Sequence, residues 1–359
     1  MNEQIRILQL IDSLQVGGAE VLAVNIANAL SNEGVESHLC VTRNEGPLKE
    51  YIEPAVQYLF LKRKKTVDIT AIKKLKNYIK KNNISIIHAH STSYFLAICV
   101  KFIYPKLKII WHDHYGKSEL LKNTSRLSIQ FLSFLFSGVL SVNLKLFEWS
   151  KKYLVVKRVF FLKNFPVFMD LKRTTVLKGA KRNRIVHVAG FRKQKDHLTL
   201  LNAFKIILNQ EPTSSLHLIG KVYKGIYSDS IKTFISDHNL SKYVFLYDVR
   251  SDIKNILDQA DIGVLSSESE GLPISLLEYG LAKLPVVVTN VGDCAAVVTN
   301  KQVVVPPKRS DKLADAIVCL IKDQELRDKV AFDLHAEVLK NYAIENSIKK
   351  IIKIYTTLI

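Results

Sequence analysis

The chain has 359 residues, too many for one average domain and enough for two, each able to bury its own core. Its composition, 48% apolar and 24% charged, excludes a disordered or fibrous chain. Net charge is +19, with 24 basic against 13 acidic residues up to Asp170 and 28 against 20 after it, so both halves suit a polyanionic partner. Nucleotide phosphates, anionic lipid and nucleic acid all fit that charge.

The four cysteines (Cys40, Cys99, Cys294, Cys319) are scattered without C-x-x-C or metal-ligand spacing. That argues against a disulfide scaffold or zinc ribbon and for a reducing, cytoplasmic compartment. The opening MNEQIRILQLID shows no signal-peptide pattern, so none is expected.

The strand IRILQLI opens the chain, and Val16-Gly17-Gly18-Ala19-Glu20 follows it, leading into a helix with Leu22, Ile26 and Leu30 on one face. Two glycines permit close backbone approach, and the helix end offers free N–H groups to an anion; a plain tight turn fits equally well. After the strand HLCVT comes Lys62-Arg63-Lys64-Lys65 and a helical pattern carrying Lys73, Lys74, Lys76, Lys80 and Lys81, with Ile72, Leu75 and Ile79 on its other side. This face is either simply solvated or a docking surface for an anionic membrane.

The strands ISIIHAH and KIIWHD end in His88 and His90, and in His112 followed by His114. No HExxH or Cys/His array accompanies them, so no metal is expected. Structural histidines are the default, with at least one site residue expected among the four.

Between Arg126 and Lys145 no charge occurs, but the run LSIQFLSFLFSGVLSVNL is barely long enough to span a bilayer and is rich in serine. It reads as a short helix (Leu127–Phe136), a Ser-Gly break and a strand. RVFFL completes the first half, and the aperiodic basic stretch 163–183 marks a domain boundary.

The second half offers the strands RIVHVAG, SLHLIG, YVFLYD, DIGVLSS and PVVVTN, then helices from 311 to 359. Continuous apolar strands alternating with helices argue for doubly wound parallel α/β domains. In such sheets the residues just beyond the carboxyl ends of the strands bind ligands.

Two such segments stand out. In Gly190-Phe191-Arg192-Lys193-Gln194-Lys195-Asp196-His197, three cations in four positions suit a diphosphate, or form a basic surface turn. In Ser269-Glu270-Gly271-Leu272-Pro273-Ile274-Ser275-Leu276-Leu277-Glu278, proline fits the first helical turn, with Glu270 before the helix and Glu278 in its second turn. The two acids are either hydroxyl acceptors flanking a phosphate-facing helix end, or a capping acid and a solvated helix residue.

Taken in order, these segments resemble glycosyltransferase family 4, retaining enzymes of the GT-B fold, from residue 5 to about residue 340. SESEGLPISLLEYGLAKLPVVVTNVGD is similar to the family's Glu-x7-Glu motif, ILQLIDSLQVGGAEVLAVNIANAL to its glycine loop, and VAGFRKQKDHLTLLNAF to its diphosphate-binding segment. The resemblance implies two Rossmann-like domains facing a cleft: 1–168 on the acceptor side, with a helix over about 343–359 packing back on it, and 169–342 binding the nucleotide-sugar. It implies sugar transfer from a nucleoside diphosphate donor, UDP-sugar favoured, to a hydroxyl of a saccharide or lipid-linked acceptor in polysaccharide or glycolipid synthesis. Neither cofactor nor metal is implied.

By the same resemblance Glu278 binds ribose hydroxyls, Glu270 the transferred sugar and Lys195 the diphosphate. Gly17, Gly18, Gly271 and Leu272 face the donor, and His114 is the active-site histidine beside the sugar, with His112 as the fallback. The arginine common after the strand is replaced here by Gly190, leaving Arg192 as the candidate substitute. The rival readings are a sugar-nucleotide epimerase on this scaffold and a basic nucleic-acid-binding protein. The latter lacks aromatic-basic interleaving, so no nucleic acid is expected. Localisation is expected to be cytoplasmic, peripheral on the inner membrane face.

Overall fold

Alternation of continuous apolar strands with helices produces two all-parallel sheets. The computed structural model describes residues 5–115, 126–168, 172–181 and 183–359. These residues divide into two units, Met1–Asn164 with Ile344–Ile359, and Phe165–Ala343. Gly116 of the DHYG segment and residues 169–171, at the expected domain boundary, lie outside the described residues.

Unit 1 runs β1 (Arg6–Ser13), α1 (Gly18–Asn32), β2 (Glu36–Asn44), β3 (Gln57–Phe60), α2 (Ile69–Lys81), β4 (Ile86–His90) and α3 (Tyr94–Ile103). It continues with β5 (Lys108–Asp113), α4 (Leu127–Leu132), β6 (Gly138–Ser141), α5 (Leu144–Tyr153) and β7 (Val159–Phe161). The sheet order is β3-β2-β1-β4-β5-β6-β7. Its interior strands β4 and β6 are buried along their whole length, as helices on both faces require, whereas the edge strands β3 and β7 are half-covered. The uncharged run forms α4, a single 3-10 turn and β6. No helix among the described residues is long and apolar enough to cross a membrane.

Unit 2 runs β8 (Arg184–Val188), α6 (His197–Gln210), β9 (Ser215–Ile219), α7 (Ile226–Asp237), β10 (Val244–Tyr247), α8 (Ile253–Leu257), β11 (Ile262–Leu265) and α9 (Ile274–Leu281). Then come β12 (Val286–Thr289), α10 (Cys294–Val297), β13 (Val304–Val305), α11 (Ser310–Lys322) and α12 (Gln324–Asn341). The sheet order is β10-β9-β8-β11-β12-β13. The last helix, α13 (Ile344–Thr356), belongs to unit 1, where Ile348, Ile351 and Tyr355 are buried.

One packing detail fixes α9, the helix that carries Glu278. Gly263 in β11 has no side chain because the ring of Tyr279 lies against its backbone; a Cβ there would fall 2.7 Å from Tyr279 Cδ2. The Tyr279 hydroxyl reaches β8 and accepts from the Val188 N–H at 2.8 Å. Gly263→Ala should therefore overpack the site and destabilise the protein by about 1–3 kcal/mol. A lower urea midpoint is the expected reading, and an unchanged midpoint would show that the ring moves aside freely.

Candidate functional site

The carboxyl edge of the unit 2 sheet gathers three loops. After β8 the chain makes a 3-10 turn over Lys193–Lys195 and enters α6 through Asp196, at φ +44°. The Asp196 carboxylate caps α6 by accepting from the Thr199 N–H at 3.2 Å. After β11, the Ser266 hydroxyl donates to the carbonyls of Lys195 and Asp196 at 3.0 and 3.1 Å, and the Glu268 N–H donates to Gln194 O at 2.8 Å. After β12, Gly292 adopts φ +54°, and any Cβ there would collide with the carbonyls of Glu270 and Gly271. Only glycine combines that backbone with that approach. The Asp293 N–H then donates to Gly271 O at 2.9 Å.

This framework brings Lys195 and Glu270 together. The Lys195 ammonium lies 2.5 Å from Glu270 Oε1, which also accepts from the Ser267 hydroxyl at 2.6 Å. The capping alternative for Glu270 is therefore replaced by an ion pair; α9 has no side-chain cap. Pro273 stands at the N-cap, one residue before the first turn expected for it. Gly271 is half-buried and Leu272 buried beneath the loop.

Glu278, in the second turn of α9, is only partly exposed, and its carboxylate has no hydrogen-bond or ion partner among the described residues. Withdrawal from water pushes its carboxyl up to about 7. Arg192 stands apart: it is exposed, donates to the Tyr223 hydroxyl at 2.8 Å and stacks on that ring at 5.2 Å. Among the described residues, no side-chain hydrogen bond or ion pair joins it to Lys195 or Glu270.

Unit 1 carries the other candidates. Gly17 is the N-cap of α1 and Gly18 its exposed first residue; no side chain caps this end. The four histidines, expected singly to be structural, form one buried cluster. His88 Nε2 meets His112 Nδ1 at 3.1 Å, and His90 Nδ1 meets His114 Nε2 at 3.0 Å. Gln9 Oε1 lies 2.8 Å from His90 Nε2, and the Tyr355 hydroxyl 2.7 Å from His88 Nδ1.

Burial drives all four imidazoles well below their ordinary range, His88 and His114 to about 3, so they are neutral. His88, His90 and His112 each place one nitrogen within 4.8 Å of the others, a spacing that could hold a cation. Both nitrogens of His88 and of His90 are already hydrogen-bonded, so a metal would have to displace existing partners. His112, the fallback, is fully buried, while His114 keeps some exposure. Asp113, beside it, is locked by a bidentate pair with Arg126 at 2.7 and 3.0 Å.

Arg63, counted in the basic run, is also not a surface cation. It is 5% exposed and donates to Asp12 Oδ1 at 3.1 Å, while Asp12 also accepts from Thr42 and Thr92. Sequence reasoning passed over several residues that shape these sites. Ser266 and Ser267 end the segment DIGVLSS and Gly292 lies in PVVVTNVGD, but nothing local marks Gln9 or Tyr355.

Comparison with known proteins bears on the family and the fold. Residues 168–331 match the family model described as glycosyl transferases group 1, and residues 16–154 the model for glycosyltransferase family 4. The chain belongs to glycosyltransferase family 4. Among the transferase's relatives is the Escherichia coli UDP-Gal:alpha-D-GlcNAc-diphosphoundecaprenol alpha-1,3-galactosyltransferase, 23% identical over 96% of this chain and 95% of that one. The N-acetyl-alpha-D-glucosaminyl L-malate synthase of Bacillus anthracis is 21% identical over 95% and 94%. The solved structure of Anabaena HepE in complex with UDP and glucose superimposes with a TM-score of 0.81 at 17% identity, covering 98% of this chain and 99% of that one. The expected GT-B fold is borne out, and the protein is a glycosyltransferase.

Glu278 makes the transferase's stability depend on pH. The folded state holds this proton more tightly than the unfolded chain, whose carboxyl titrates near 4.5, so stability should fall as pH rises from there towards about 7. Glu278→Gln removes the effect. The difference in Tm between variant and wild type should widen in the variant's favour from pH 5 to pH 8; a constant difference would show that Glu278 titrates normally.

Proposed function

We propose that the protein transfers a sugar from a UDP-sugar to a hydroxyl of a saccharide or lipid-linked acceptor in cell-surface polysaccharide or glycolipid synthesis, as a hexosyltransferase retaining the anomeric configuration. The observation that carries this reading is the cation–acid arrangement at the carboxyl edge of unit 2: Lys195 held by Glu270, with an unpartnered Glu278 farther along α9. Lys195 stabilises the charge that grows on the leaving diphosphate, Glu270 orients hydroxyls of the moving sugar, and Glu278 accepts from the ribose. Gly271 and Leu272 shape the donor loop, and Arg192 supplies a peripheral positive charge. In unit 1, His114 acts in transfer and Gly17 and Gly18 line the approach.

The names of the relatives support the donor and acceptor classes: the E. coli enzyme is named for UDP-Gal and a diphosphoundecaprenol-linked acceptor, and HepE was solved with UDP. A lysine beside the proposed diphosphate position offers charge stabilisation without a bound metal.

A nucleotide-release assay over a panel of UDP- and GDP-sugars tests the assignment. Glu278→Ala should weaken UDP binding by about 1–3 kcal/mol, the cost of lost ribose hydrogen bonds. Glu270→Ala should lower kcat more than donor affinity, because its partner moves during the reaction. Turnover should survive EDTA. Unchanged UDP affinity in the Glu278 variant overturns the ribose role, and activity abolished by EDTA and restored by Mg²⁺ overturns metal independence.

We also propose that the protein works on the cytoplasmic face of the membrane, docked electrostatically through unit 1. Lys62, Lys64, Lys65, Lys73, Lys80 and Lys81 are exposed along and before α2, whose Leu75 and Ile79 are buried. Each basic residue near an anionic leaflet contributes about 1 kcal/mol, and salt screens the attraction. Changing Lys62, Lys64 and Lys65 to Gln, with Arg63 left to hold Asp12, should sharply reduce co-sedimentation with anionic vesicles at low salt. Salt-indifferent binding would overturn this and point instead to the exposed uncharged ridge of Leu127, Phe131 and Phe134.

A further inference from the structure

The histidine cluster of unit 1 has a direction, and Gln9 sets it. A carboxamide oxygen has no hydrogen to give, so His90 Nε2, 2.8 Å from Gln9 Oε1, carries the proton. The other end of the amide also has a partner, since Gln9 Nε2 donates to the Tyr355 hydroxyl of α13 at 3.1 Å. Because the buried His90 ring is neutral, its Nδ1 is bare, and it accepts from His114 Nε2–H across 3.0 Å. His114 is neutral as well, so its remaining nitrogen, Nδ1, is also bare. That nitrogen has no hydrogen-bond partner among the described residues. The tautomer of an imidazole is fixed by the hydrogen bond its other nitrogen makes, and here that bond traces back through two residues.

We infer that Gln9 is a positioning residue which, through His90, makes His114 a pure hydrogen-bond acceptor, so that the substrate group His114 recognises is a hydrogen-bond donor, a hydroxyl or an amide N–H, rather than a carboxylate or carbonyl. This rests on the proposed role of His114 in transfer. A sugar bearing a carboxylate at the position His114 meets would set two acceptors against each other, and the enzyme should reject it. The arrangement also explains why a residue of the last helix is buried beside β1. Tyr355 meets the other end of the amide, and a turned amide would reverse every proton from His90 to His114.

The test uses the full chain labelled with ¹⁵N. Long-range ¹H–¹⁵N spectra, with His114→Ala used for assignment, should show His114 as the Nε2–H tautomer in the wild type. Gln9→Met should give a mixture of tautomers and lower kcat by about 10- to 100-fold, part of the range for a positioned acid or base, with KM for the donor little changed. If Gln9→Met fails to fold, Tyr355→Phe, which frees the amide without removing it, should produce the same mixture with a smaller loss of kcat. A wild-type signal for His114 Nδ1–H overturns the inference, as does an unmixed Nε2–H signal in both variants. Full activity in His114→Ala overturns the transfer role of His114, and with it the substrate inference, while the tautomer result would still stand.

Discussion

A parallel sheet covered on both faces leaves almost nowhere for polar side chains except its ends. Its backbone groups are satisfied by neighbouring strands, and its side chains face helices. In both units this drives chemistry to the carboxyl edge, where each strand releases the chain into a loop. His90, His112 and Asp113 close β4 and β5; Ser266, Ser267 and Thr289 stand at the ends of β11 and β12. Gln9, like His38, His88, His187 and His217, lies within a strand with no exposure at all, and a buried amide that far from water must find partners. It finds them in His90 and Tyr355, which ties the cluster to the core of the sheet.

The unit 2 site works under the opposite electrostatic rule. Glu270 is nearly buried, and an unpaired carboxylate there would be costly, so Lys195 and the Ser267 hydroxyl both turn to it. The pair is held by backbone rather than by side chains alone: Ser266 fastens the Lys195 turn, and Gly292 lets a third strand's loop press on Glu270. If a diphosphate and a sugar hydroxyl occupy this place, as proposed, each replaces one half of an existing interaction. Neither residue then meets its ligand as a bare buried charge, and little reorganisation is needed at the moment of reaction.

Much of this was legible in the sequence, for a definable reason. Interior strands such as ISIIHAH and DIGVLSS announce themselves because burial on both faces demands unbroken apolar runs. The edge strands β3, reading QYLF, and β13, only Val304–Val305, did not, because an edge is half-covered or too short to need such a run. The position of Lys195 and Glu270 beyond strand ends followed from the same rule, but not their pairing, which spans 75 residues. Arg63 was misleading for that reason: four consecutive cations read as a surface, and only Asp12, on another strand, shows that one of them points inward. Tyr355 was illegible, since its partners Gln9 and His88 lie at the far end of the chain.

The burial of four imidazoles in a chain of net charge +19 has its own logic. A neutral imidazole donates once and accepts once, so a row of them passes hydrogen bonds along without placing any charge in the core. Charging one ring would cost its own desolvation and would also raise the cost for its neighbours, since His88, His90 and His114 each depress another member of the group. The cluster therefore resists protonation collectively. The abundant lysines do not disturb it, because they lie outside, as on α2, where solvent screens them. What the cluster holds in place of charge is direction, and that direction is decided by which way the single amide of Gln9 faces.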